Sequence, residues 1–196
     1  MPDTTTEPVS LDQVIQSLRS MMPSAYAAPE RPRDHTKPHV SDLIQIAKPY
    51  TGPHFEGLGD LGLLWELALR PWVADYAIKN GYWFLPGTIV QERDGILGSL
   101  DGLMIGNPDG QDGVVVVVDT KMRFSKKEMD FSVRSQMKAY CHMVGATTAI
   151  LPVGRMLARP LSFSAELIIM TFTDIEIEEN WRMLMAAKEQ WRPPNA

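Results

Sequence analysis

Gly98-Ser99-Leu100-Asp101-Gly102 and, after a short gap, Val114-Val115-Val116-Val117-Val118-Asp119-Thr120-Lys121 are the two stretches around which the chain is organised. Five consecutive valines specify a buried strand, because β-branched side chains suit a pleated surface covered on both faces. Residues i and i+2 of a strand point to the same side, so Asp119 and Lys121 project together as the run ends. Asp101 belongs to a neighbouring strand, among small residues that allow close approach. Two carboxylates and an ammonium at one end of a sheet have the composition of a hard-metal site with a charged helper.

Working outward, Tyr82 to Glu92 and Ile96 to Ile105 are strands joined by Arg93-Asp94-Gly95, and Asp-Gly between apolar runs is a strong hairpin signal. Asn107-Pro108-Asp109-Gly110 turns the chain into the valine strand, predicting a three-strand antiparallel meander. Upstream, Asp60 to Asn80 has helical spacing through Leu61, Leu64, Trp65, Leu69, Trp72, Val73 and Tyr76, with Pro71 as a point of kinking or division. Glu66 is the acid in the middle of that apolar helix, where a carboxylate near a core must be paired, protonated or bound to a cation. Downstream, the spacing predicts a helix over 129–144 that stops at Gly145, strands over 147–153 and 166–172, and a closing helix over 174–191 capped by Thr173 or Asp174. The expected fold class is α/β, a mixed central sheet flanked by helices in the order helix, three strands, helix, strand, strand, helix.

Residues 1–40 read as a short helix (Leu11, Val14, Ile15, Leu18) and a proline-rich basic arm; residues 41–196 read as the folded domain. At 196 residues with 44% hydrophobic content, the chain is long enough to bury a core without disulfide or metal staples. Its one cysteine, Cys141, excludes an internal disulfide and a four-cysteine iron–sulfur cluster, and fits a reducing compartment. The N-terminal stretch lacks signal-peptide features, and no apolar run reaches the ~20 residues of a membrane span. A cytoplasmic protein is expected. His35, His39 and His54 lack metal-ligand spacing. The net charge of −5 disfavours coating nucleic acid by bulk positive charge. The run from Lys121 to Lys138 is nonetheless basic, with Arg123, Lys126, Lys127, Arg134 and Lys138.

An acid followed on the next strand by an acid-x-lysine, both preceded by a helix carrying an acid, resembles the PD-(D/E)xK nuclease superfamily. Asp101 matches the first acid, with Leu100 where the name-giving proline would stand. Asp119 and Lys121 match the second half in its D-x-K form, and Glu66 the first-helix acid. Gln136-Met137-Lys138-Ala139-Tyr140 matches the Q-x-x-x-Y motif of the RecB-like and lambda-exonuclease-like branch, its Gln and Tyr sharing one helix face as i and i+4. The matched region runs from about Gly59 to Gly154.

The resemblance implies a restriction-endonuclease-like core and a Mg²⁺- or Mn²⁺-dependent DNA nuclease of bacterial or phage-type recombination, replication or repair, an exonuclease rather than an endonuclease. Glu66, Asp101, Asp119 and the Thr120 carbonyl would hold the metal, Lys121 would act on the attacking water, and Gln136 and Tyr140 would orient water or phosphate. Arg123, Lys126, Lys127, Arg134 and Lys138 are the candidate phosphate contacts, supplying affinity rather than sequence choice. DNA, single- or double-stranded, is the expected partner; homo-oligomerisation or a recombination partner protein stays open. The other reading is a non-catalytic DNA-binding or assembly subunit on the same fold.

Overall fold

The computed structural model describes residues 34–49, 58–106, 113–123, 130–158 and 161–194. Helices α1 (Val40–Ala47) and α2 (Leu58–Lys79) precede strands β1 (Tyr82–Arg93), β2 (Ile96–Gly106), β3 (Val114–Val118) and β4 (Lys121–Arg123). Helix α3 (Phe131–Val144), strands β5 (Thr148–Ala158) and β6 (Leu161–Thr171) and helix α4 (Asp174–Gln190) follow. The strands form one mixed sheet. β1, β2 and β3 are an antiparallel meander, β3 and β4 both run parallel to β5, and β6 is antiparallel on the far side of β5.

The valine strand is central and covered on both faces, as its composition requires. Val116 and Val118 join Met104, Ile150 and α2 residues Val73 and Ala77 in one apolar cluster. Val117 belongs to the cluster on the opposite face, with Leu151, Met137 and Tyr140 of α3, Leu43 of α1, and Trp181 and Leu184 of α4. The molecule is therefore a three-layer α/β/α sandwich, consistent with a restriction-endonuclease-like core. Buried Ser135 and Asn180 tie α3 to α4: Ser135 Oγ donates to Asn180 Oδ1 at 2.7 Å, and Asn180 Nδ2 donates to the Ser135 carbonyl at 3.0 Å.

Local chemistry sets the ends of the elements. Asp94 and Gly95 both have positive φ (51° and 69°), the geometry of a two-residue hairpin turn. That turn is held by α4, where Trp181 Nε1 donates to Asp94 Oδ2 at 3.0 Å. Asp130 caps α3 by accepting from Val133 N, and Gly145 ends it with φ 70°. Thr173, rather than Asp174, is the N-cap of α4, in a capping box with Glu176. Pro71 cannot donate to the Leu67 carbonyl, yet α2 is one continuous helix.

Some boundaries differ from the sequence reading. β5 continues to Ala158 and β6 begins at Leu161, because their antiparallel pairing runs unbroken past Pro152 and Gly154, which alone look like strand breakers. α1 has no counterpart in the sequence reading; its N-cap is His39, a weak start signal, with Asp42 at the third position supplying the acid. Just before it, the Pro38 carbonyl accepts from Leu97 N at 2.9 Å and Lys37 pairs with Glu92 at 2.7 Å, so the end of the arm is fastened to the β1–β2 hairpin. The expected helix over Leu11–Leu18 lies outside the described residues.

Gly154 is where α2 meets the sheet. A Cβ built there would lie 2.8–2.9 Å from Trp65 ring atoms. Gly154→Ala should therefore cost about 1–3 kcal/mol through overpacking. Urea denaturation checks this, and an unchanged midpoint would mean α2 does not press on the sheet at Gly154.

Candidate active site

The break between β3 and β4 creates the site. Val118 pairs with Ile150 and Lys121 with Val153, three residues on in each chain, so β4 resumes the line of β3 without a change of register. Asp119 and Thr120 form the interruption. Asp119 N still donates to the Ile150 carbonyl at 3.2 Å, while Thr120 N turns away and donates to Asp101 Oδ2 at 2.7 Å. A backbone N–H that would otherwise extend the ladder instead fixes a carboxylate of the next strand.

A second irregularity lies opposite. β1 and β2 pair Pro86 with Gly102 and Ile89 with Leu100, so Gly87 and Thr88 together face Asp101. Gly87 has φ 109°, which L side chains rarely adopt. Bulges of this kind bend the bulged strand and raise its local twist, and this one lies opposite Asp101.

Asp119 is 2% exposed. Its Oδ2 forms an ion pair with Lys121 Nζ but accepts no well-oriented hydrogen bond. The i, i+2 relation expected from the sequence thus gives a direct contact. Burial raises the Asp101 carboxyl to about 7, the Asp119 and Glu66 charges push the same way, and Lys121 and the Thr120 N–H oppose them. Burial likewise raises Asp119, with Lys121 opposing and Glu66 adding to the rise. Glu66 enters from α2 and is coupled to both aspartates, but its Oε1 accepts from Arg70 Nη2 at 2.5 Å.

From the other face, Gln136 Nε2 donates to Tyr140 Oη at 2.7 Å. The Tyr140 hydroxyl is raised by burial and by the Asp119 and Asp101 charges, against the hydrogen bonds it makes with Gln136 and the Ser99 backbone. Gly98 leaves room for this side of α3, since a Cβ there would lie 2.5 Å from Met143 Sδ and 3.1 Å from Tyr140 Cε1. Asp101, Asp119 and Lys121 therefore meet at the strand break, and the charges there are felt by Tyr140 from one helical layer and act together with that of Glu66 from the other.

The basic run does not converge as a unit. Arg123 Nη2 pairs with Asp130 at 3.2 Å, and Lys138 Nζ pairs with Glu176 at 3.2 Å and lies 5.5 Å from the Phe172 ring centre. Arg134 lies over the same ring. Lys126 and Lys127 are outside the described residues. Sequence reading missed Arg70, although its i, i+4 spacing from Glu66 was a usable signal. It also missed the β1 bulge, for which only Gly87 was a hint.

Among the described residues, no group of three or more His, Cys, Asp or Glu side chains is arranged to hold a metal ion. The donor set nevertheless fits a hard cation, since Mg²⁺ characteristically takes one or two carboxylates and completes its octahedron with water and phosphate oxygens. Asp101 and Asp119 are that pair, and the buried Asp119 Oδ2 lacks an oriented donor. Glu66, whose Oε1 accepts from Arg70, could join only by turning toward the two aspartates. No helix among the described residues is long and apolar enough to cross a membrane.

No protein-family model matches the chain, and no curated protein does. Among solved structures, SSO0001 is similar with a TM-score of 0.47 and 13% identity, over 94% of this chain and 86% of that one. An alkaline exonuclease (LHK-Exo) from Laribacter hongkongensis gives 0.45 and 13%, over 79% and 87%. A phage related exonuclease from Haemophilus somnus 129PT gives 0.42 and 12%, over 78% and 92%.

Burial raises Asp119 even against the Lys121 ammonium beside it, so its charged form lowers stability when no further cation is bound. Asp119→Asn should raise the melting temperature in EDTA and remove the further rise that Mn²⁺ produces in the unsubstituted protein, stabilisation by a ligand of the native state. Differential scanning fluorimetry with and without Mn²⁺ measures both. An equal Mn²⁺-dependent rise in the variant would remove Asp119 from the ligand set.

Proposed function

We propose that the chain is a Mg²⁺- or Mn²⁺-dependent deoxyribonuclease that hydrolyses phosphodiester bonds from DNA ends, in recombination, replication or repair of the phage type. The observation that carries this reading is the strand break itself. It buries Asp119 against the Lys121 ammonium, and its Thr120 N–H holds Asp101 alongside.

In this reading Asp101 and Asp119, with the Thr120 carbonyl, hold the metal, and Glu66 is a third carboxylate beside them. When bound, the ion supplies Lewis-acid polarisation of a phosphate oxygen and a more acidic water. Lys121 places positive charge where negative charge accumulates on the phosphorus-bound oxygens and orients the attacking water. Gln136 fixes the Tyr140 hydroxyl by donating to its oxygen, leaving the phenolic proton available for a water or phosphate oxygen. The Thr120 N–H keeps Asp101 in place, which limits the reorganisation needed at the moment of reaction.

The second reading is a non-catalytic DNA-binding or assembly subunit on the same fold. One observation favours it: Asp119 and Glu66 already have internal cations, Lys121 and Arg70.

The two separate on labelled linear duplex, single-stranded DNA and closed circular plasmid, each with Mg²⁺, Mn²⁺, Ca²⁺ or EDTA. The nuclease reading expects digestion of linear DNA with Mg²⁺ or Mn²⁺, none in EDTA, and sparing of circles. Asp119→Ala and Lys121→Ala should each lower the rate by at least about 100-fold. Tyr140→Phe should lower it about tenfold, the value of one lost hydrogen bond. DNA binding without cleavage under every condition would decide for the subunit, and cleavage indifferent to both substitutions would sink the assignment of the site.

A further inference from the structure

Arg70 is the basic side chain paired with Glu66, and neither the sequence reading nor the roles given above use it. Its Nη2 donates to Glu66 Oε1 at 2.5 Å, while its Nε is buried without a hydrogen-bond partner. A guanidinium has five N–H donors in a planar fork matched to carboxylate or phosphate. An ordinary i, i+4 helix pair sits in solvent and contributes a few tenths of a kcal/mol. This one differs in that the Glu66 side chain is 12% exposed, whereas the Arg70 side chain is 34% exposed and open to an incoming group. Glu66 also lies in the field of two buried aspartates. The local geometry is fixed from behind, because Trp65 is pressed onto Gly154, whose β4 neighbour is Met122, next to Lys121.

We propose that Arg70 is a phosphate-binding residue whose guanidinium exchanges Glu66 for a DNA backbone phosphate when Glu66 turns to a divalent cation at Asp101 and Asp119. The inference rests on the nuclease reading of the site and adds to it the residue that couples cation loading to substrate binding. Without a cation, Arg70 offsets the third negative charge of the cluster. With one, Glu66 has a stronger partner, and the fork released from it faces outward with its charge unspent. Phosphate is the natural acceptor, since it accepts the paired N–H bonds that a carboxylate does.

The test needs no turnover. Mn²⁺ is titrated calorimetrically into the full chain without DNA, and binding of a fluorescein-labelled oligonucleotide is followed by anisotropy in Ca²⁺ and in EDTA. Arg70→Gln should bind Mn²⁺ roughly threefold to tenfold more tightly, because Glu66 no longer has to leave a cation. The same variant should bind the oligonucleotide roughly fivefold more weakly in Ca²⁺, with little change in EDTA. Arg70→Lys keeps the charge on Glu66 but loses the fork. It should leave Mn²⁺ affinity near that of the unsubstituted chain and still weaken the oligonucleotide in Ca²⁺. Mn²⁺ affinity unchanged or weakened in Arg70→Gln, or oligonucleotide affinity in Ca²⁺ unchanged in both variants, would overturn the proposal. Failure of the underlying reading looks different: Asp119→Asn would then bind Mn²⁺ as well as the unsubstituted chain.

Discussion

One hydrogen bond organises the centre of this molecule: the Thr120 N–H that leaves the sheet ladder and donates to Asp101. A central strand buried on both faces leaves few places for a carboxylate. The chain accommodates Asp119 by interrupting the strand for two residues and resuming it in the same register as β4. The interruption releases one backbone donor, and that donor spans to the adjacent strand and fixes the second acid. Without the constant register, Lys121 would not return to the side from which it reaches Asp119.

The three layers follow from the same constraint. α2 covers one face of the valine strand and α3 the other, so Glu66 and the Gln136–Tyr140 pair approach the break from opposite directions. Glycines supply the clearance at two of the contacts, Gly154 beneath Trp65 and Gly98 beneath Tyr140. A methyl group at Gly154 would meet the Trp65 ring, and one at Gly98 would meet first Met143 Sδ and then the Tyr140 ring. Burial raises both aspartates, with the Asp119 and Glu66 charges adding to the rise of Asp101 and Glu66 to that of Asp119, and Lys121 opposes both.

The basic stretch after β4 shows how local sequence can mislead. On paper Arg123, Arg134 and Lys138 form one positive run with Lys126 and Lys127. In the fold Arg123 goes to Asp130, and Lys138 and Arg134 go to Phe172, with Glu176 closing on Lys138. Gln136 and Tyr140 lie on the same helix, yet their 3.6-residue phase directs them to the sheet while their neighbours serve the packing of α4. Arg70, outside the basic run, is the cation paired with the site's third acid.

The sequence by itself determined the strands other than β4, the hairpin, the helices from α2 onward, and the projection of Asp119 and Lys121 to one side; their direct ion pair and the short strand β4 came from the fold. The former features depend on near-neighbour periodicity, turn chemistry and β-branched composition, which a linear reading captures. It also contained every acid of the cluster, because a carboxylate amid apolar residues is conspicuous wherever it falls. Only the tertiary structure decided that Thr120 N–H holds Asp101, that Gly87 and Thr88 bulge opposite it, and that Glu66 is held by Arg70. It likewise decided how the basic side chains divide between site and packing. Those outcomes depend on register between strands and on which helix face meets the sheet, quantities set by contacts between residues far apart in the chain.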